Sequence, residues 1–243
     1  RGFSSIYGEW ETTGEAKHQR GALHESQRFP EPRVEVQLVL KRRSDEGVLR
    51  EIWTDTLDPA SRSIDRSPLA QRGQVSIVSD NGPTNEKVDL LIVAEGYTAT
   101  QAEKFQSDAL RLTRVLFSTE PFLGRSGEFN LRLLFVPSPD EGIPNPRKGE
   151  WPRTSFGLSF NAFDSDRYVL TYANEVLREA AAQAPYDALI LLFHGKKYGG
   201  GGIYNLWATC AADSEQSPYV FVHEFGHSFA GLADEYYSSQ VAY

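Results

Sequence analysis

"KVDLLIVAEGY", Lys87–Tyr97, decides the fold. Apart from Asp89 it is apolar from Val88 to Ala94 and ends at Gly96, too short for a buried helix and without the alternation of a half-exposed strand. Such a run marks a strand buried on both faces, as in a parallel sheet covered by helices. The flanking sequence agrees. "TQAEKFQSDALRLTRVLF" from Thr100 places Thr100 and Glu103 at capping-box spacing, with Phe105, Ala109, Leu112 and Leu116 on one helical face. "FNLRLLFVPSP" then reads as a strand, followed by a Pro/Gly-rich loop from Pro137 to Pro152. A second helix is expected from about Asp166 to Ala184, capped by Asp164 or Ser165, and "YDALILLFHG" as a third buried strand. The order β, α, β, α, β implies an α/β domain with a mostly parallel sheet and right-handed crossovers.

Upstream the period changes. "RVEVQLVLKRR" puts Val34, Val36, Leu38 and Leu40 on alternate positions, and "VLREIWTDTL" and "GQVSIVSD" read the same way. Three strands without a helix predict a small all-β, sandwich-like domain over residues 1–80, with "SDNGPTNE" as the boundary to a catalytic domain over 81–243. Residues 1–28 show little periodicity.

The 243 residues are 40% hydrophobic and 24% charged, with a net charge of −8. This composition is that of a globular protein, the acidic balance argues against nucleic-acid binding, and no apolar run is long enough to span a membrane. One cysteine, Cys210, excludes an intrachain disulfide and a Cys-rich zinc module. Buried in a strand and followed by alanines, it reads as an inert thiol.

The chemistry is concentrated in "VHEFGHSFAGLADEYY", Val222–Tyr237. His223 and His227 are one helical turn apart, so both can offer a ring nitrogen to one zinc ion. Glu224, offset by one position, faces the open side, where it can take a proton from an attacking water and pass it to a leaving amine. Tyr219, Val220, Phe221, Phe225 and Phe229 surround the pair, which makes unpartnered imidazoles costly. Gly231 offers a helix stop, and the acidic pair Asp234 and Glu235 follows, either chemically suited to be the third ligand. Tyr236 and Tyr237 are candidates for the wall of such a site. "KKYGGGGIYNLWATCAAD" fails as a phosphate loop, lacking Ser or Thr after the lysine. Its Gly201, Gly202, Ile203, Tyr204 and Asn205 are candidates for substrate binding, with residues 203–210 expected as an edge strand beside the cleft. His194 reads as a strand-end residue, and Asp164 and Asp166 as helix caps rather than a cation site.

From about Glu25 to Tyr243 the chain resembles the IgA-peptidase-like zinc metallopeptidases, grouped with the metzincins. The likeness runs through "FPEPRVEVQLVLKRR", "LDPASRSIDRS", "KVDLLIVAEGYT", "RKGEW", "SFNAFDSDRYVLTY", "KKYGGGGIYNLWATCAADS" and "VFVHEFGHSFAGLADEYY". It implies an α+β, metzincin-like catalytic domain holding Zn2+ behind a β-sandwich-like domain, and export from a bacterial cell. A protein or peptide is the implied substrate, a host protein among the candidates; no particular target or oligomeric state follows. In the common metzincin pattern a glycine stands where this chain has Ala230, with Gly231 one position later. The interval from that glycine to the third ligand is kept by Asp234, and this, with the short Asp arm, favours Asp234 over Glu235. The chain contains no methionine and ends nine residues after Asp234, so the part bearing a methionine turn is expected to be lacking. No signal-peptide pattern is legible, and an exported product that has lost one is the expectation. The competing reading is a non-catalytic cell-surface adhesion protein with a structural or degenerate zinc site, against which Glu224 argues.

Overall fold

The computed structural model describes residues 2–44, 46–68 and 70–235. By internal contacts these form two units, residues 27–68 and residues 2–26 with 70–235. The smaller unit contains β1 (Val36–Arg43) and β2 (Leu49–Leu57), an antiparallel pair in which Val36 faces Leu57 and Arg43 faces Leu49. Two strands cannot form a sandwich. The third strand expected there, β3 (Gln74–Ser79), instead joins the sheet of the larger unit, antiparallel to β5 (Phe129–Phe135). Its alternation signalled a strand correctly but could not say which sheet it edges, because period 2 describes one half-buried face in either setting.

The larger unit is a mixed α/β fold. Its six-stranded sheet has the order β3-β5-β4-β6-β8-β7, with β4 (Val88–Glu95), β6 (Ala188–Phe193), β7 (Gly200–Ile203) and β8 (Trp207–Ala211). The four inner strands are parallel, and the two edges, β3 and β7, are antiparallel to their neighbours. On one face Leu90, Ile92 and Leu192 pack with α2 (Ala102–Leu116) and α4 (Ser217–Ala230); on the other, Leu91, Val93 and Leu191 pack with α3 (Asn174–Ala181) and with Ile6 of α1 (Ile6–Glu11). This double cover is why β4 and β6 are continuous apolar runs. It also fits one hand of crossover: β4 to β5 steps one way and β5 to β6 steps back across β4, so α2 and α3 must lie on opposite faces.

Two helix starts differ from the expected ones. The capping box is formed by Thr98 and Gln101 around a 3-10 turn, not by Thr100 and Glu103. The second helix begins at Asn174 instead of near Asp166, because residues 167–169 run beside β7: Gly200 N–H donates to Arg167 O at 3.2 Å and Val169 N–H to Gly200 O at 3.1 Å. Asp164 and Asp166 cap no helix and pair instead with Arg147 and Lys197.

Glu95, at the carboxyl end of β4, is fully buried and accepts from the backbone N–H groups of Phe156 and Leu158 at 3.1 Å. Burial outweighs these donors and pushes its carboxyl from 4.5 up to about 7. Between those values the folded chain holds a proton that the unfolded chain has released, so stability falls as pH rises through this window. Compared with Glu95→Gln by denaturant titration, the parent should lose on the order of 3 kcal/mol more between pH about 4 and about 8. Equal losses in the two proteins would rule out this titration.

Candidate metal centre

Helix α4 lies against β8 and β7, with its amino end tied down by Ser217, whose hydroxyl donates to Ala211 O and Ser214 O at 2.6 and 2.7 Å. At the other end Asn205 N–H donates to Ser228 O at 2.8 Å. The helix comes so close to β7 that side chains on the strand would not fit. A Cβ on Gly202 would lie 2.6 Å from Glu224 O and 2.8 Å from His227 Cβ, and one on Gly200 would lie 3.0 Å from Glu224 Oε1. Gly201 has the ring of Tyr168 against it on the opposite face, 2.6 Å from where a Cβ would be. The glycine run is therefore part of the site's geometry rather than a flexible loop.

Helical spacing brings the Nε2 atoms of His223 and His227 to 3.0 Å from each other. At Gly231 the backbone takes the left-handed conformation, φ 65°, its N–H caps His227 O, and Leu232 N–H returns to Gly226 O. This reversal brings in Asp234, whose Oδ1 is 3.2 Å from both Nε2 atoms. His227 Nδ1 lies 2.5 Å from Leu232 O. A carbonyl only accepts, so Nδ1 carries the proton and Nε2 is left with a lone pair. Glu224 also belongs to the cluster, having a carboxylate oxygen within 4.8 Å of the ring nitrogens of both histidines.

These donors fit a zinc ion. Tetrahedral bonds of about 2.0–2.1 Å place ligand atoms roughly 3.3 Å apart, close to the observed triangle. Asp234 Oδ1 is buried and has no hydrogen-bond donor among the described residues. A single Nε2–H could bridge the histidines but would leave this oxygen unpaired, whereas a cation satisfies all three atoms. Burial, and then the neighbouring His227, hold the His223 imidazole below its ordinary value, which favours the neutral, ligating form. Burial, reinforced by the charge of Asp234, pushes the Glu224 carboxyl up to about 8, with Arg167 opposing.

A family model described as IgA Peptidase M64 matches residues 76–243, and one described as Peptidase M64 N-terminus matches residues 1–54. The chain belongs to the IgA peptidase M64 family. Among curated proteins no match to the chain is found.

In this M64 chain the candidate residues fall into three groups. His223, Glu224, His227 and Asp234 converge, while Glu235 is exposed and makes no contact with the histidines among those described. Gly201, Gly202 and Ile203 lie on the edge strand, and Tyr204 and Asn205 form the turn after it. The edge, however, is β7; of residues 203–210, expected as one edge strand, only Ile203 lies in β7, and 207–210 belong to β8, which is paired on both sides. The tight turn at Asn205, φ 56°, lets the chain fold back inside the glycine strand. His194 stands apart between Glu141 and Asp213, at 3.3 and 3.2 Å, and burial pushes the Cys210 thiol well up. Tyr236 and Tyr237 lie outside the described residues.

Sequence reasoning misses Arg167 and Tyr168, which it places in a helix, and Glu9, whose carboxylate pairs with the Tyr168 hydroxyl. No motif marks them; only the bridge between Tyr168 and Gly200 brings them in. Gly202→Ala should destabilise the metal-free chain by about 1–3 kcal/mol, because the new methyl meets backbone and not a movable side-chain end. Denaturant unfolding checks this, and a loss below about 0.5 kcal/mol would show that α4 can move away.

Proposed function

We propose that the chain is a zinc-dependent endopeptidase, of the metzincin type, acting outside the cell on protein or peptide substrates. The observation that carries this reading is the triangle of His223 Nε2, His227 Nε2 and Asp234 Oδ1, with Glu224 beside it. Membership of a peptidase family supports the same chemistry. On this reading His223, His227 and Asp234 hold the metal and Glu224 is the general base and then the acid. Zinc bound there would supply Lewis-acid polarisation of the scissile carbonyl and make a water more acidic.

The protein's own groups do the rest. Glu224 is held against β7 by the absence of side chains at Gly200 and Gly202, so its carboxylate has little freedom to leave the reacting face. It takes a proton from the attacking water and delivers one to the departing amine. An extended peptide can add to the edge at Gly202. Gly200 turns its N–H and C=O outward to residues 167–169, so two residues on, Gly202 turns its own outward too. Main-chain pairing there would tolerate many sequences, leaving selection to neighbouring side chains such as Tyr219, exposed and stacked on His223 with ring centroids 5.4 Å apart.

Glu224→Gln should keep zinc, measured as metal per chain after dialysis, and lose about 100- to 10,000-fold in peptide cleavage. His223→Ala should lose both. Full activity in zinc-loaded Glu224→Gln, or equal metal content in the two variants, would contradict the assigned roles.

A further inference from the structure

Residues 2–4 are bonded to the turn between β7 and β8, beside the candidate metal centre. Ser4 N–H donates to Tyr204 O at 2.9 Å, and the Asn205 side-chain amide donates to Gly2 O. Ile6 and Trp10 of α1 are buried, Ile6 in the same cluster as Ile203, Leu206 and Trp207, so this segment is packed along the β7–β8 turn. On its other side the Tyr204 ring covers Gly231: a Cβ there would be 3.0 Å from Cδ2, 3.1 Å from Cε2 and 3.2 Å from Cγ. Gly231 is the reversal from which Leu232 O meets His227 Nδ1 and Asp234 Oδ1 meets both Nε2 atoms.

We propose that Tyr204, held in place by residues 2–10, is a positioning residue for the metal centre, fixing the Gly231–Asp234 turn so that Asp234 and the Leu232 carbonyl arrive in ligating register. The inference rests on the reading of His223, His227 and Asp234 as ligands. Residues 232–235 have no regular secondary structure, and beyond its helix-capping bonds the turn needs a surface to lie on. The Tyr204 ring supplies that surface against Gly231. The ring in turn is fixed through its own carbonyl, by Ser4, and through its neighbour Asn205, by Gly2 and Ser228. Contact is made by ring carbons, so the hydroxyl is dispensable and the aromatic face is not.

The test measures zinc affinity of the full chain by competition with a chelator, beside the unfolding midpoint of the metal-free protein. Tyr204→Ala should weaken zinc binding about 10- to 100-fold, the range found when groups supporting a ligand are removed, while Tyr204→Phe stays within about twofold of the parent. The metal-free midpoint should move far less than affinity in Tyr204→Ala, since the half-buried ring is supporting a turn rather than filling the core. Ser4→Pro, which removes the N–H donor but no core side chain, should weaken zinc binding in the same direction. Tyr204→Ala binding zinc within twofold of the parent would overturn the positioning role and leave the ligand assignment intact. A parent that takes up no zinc would overturn both. Equal weakening in Tyr204→Ala and Tyr204→Phe would shift the effect to the hydroxyl and refute the ring-on-glycine contact.

Discussion

Helix α4 rests on the backbone of β7, and the arrangement of the metal centre follows from that contact. With a Cβ at Gly202 only 2.6 Å from Glu224 O, the helix and strand are closer than any side chain would allow. A helix on ordinary strand residues would stand off by a layer of side chains, and Glu224 would have volume to move in. Here the carboxylate has the edge strand on one side and the two imidazoles on the other. The same nearness removes water from it, and so burial is the first cause of its raised proton affinity. Positioning and electrostatics thus share one origin.

The sheet makes this contact possible by ending at β7. Parallel β6 and β8 are covered on both faces and supply the apolar floor under Val220, Phe221 and Phe225 of α4. The antiparallel edge strand contributes no side chains at its first three positions and leaves half of its outer margin to residues 167–169. The rest of the margin, at Gly202, lies next to Glu224. On the reading proposed above, His223, Glu224 and His227 on a helix secured at both ends, beside a strand edge whose Gly202 has no backbone partner on its outer side among the described residues, suit a substrate whose main chain is held extended.

Much of this was legible in the sequence. The runs at Lys87–Tyr97 and Tyr186–Gly195 fixed β4 and β6, because only a doubly covered strand tolerates so many consecutive apolar residues. The His223–His227 spacing and the reversal at Gly231 were equally plain, since both depend on local geometry. What could not be read depends on tertiary pairing. "DSDRYVLTY" has enough helical character to suggest a helix from its start, yet Arg167–Val169 is recruited to the sheet edge by the backbone of Gly200. "GQVSIVSD" has the right period for a strand in either sheet, and Phe129–Phe135 claims it. "GGGGIYNLWATCA" contains both an edge strand and an inner strand, and only the turn at Asn205 says which is which. Glu9 and Ser4 carry no periodic signal, and their relation to Tyr168 and Tyr204, more than 150 positions away, exists only in the fold.

The three candidate donors differ in how firmly the protein alone holds them. His223 and His227 sit on a helix secured at both ends, by Ser217 and by the bond from Asn205 to Ser228. Asp234 sits on irregular backbone beyond the helix cap, and its inner oxygen has no hydrogen bond to hold it. Ordering such a segment costs conformational entropy that only the ligand bond and the packing beneath the turn can offset. A cation therefore contributes most at Asp234, where the protein contributes least, and the helix pair defines the position to which the carboxylate must come. That division places the firmest support at His223, Glu224 and His227 and, on the proposed reading, leaves completion of the ligand set to Asp234 on irregular backbone.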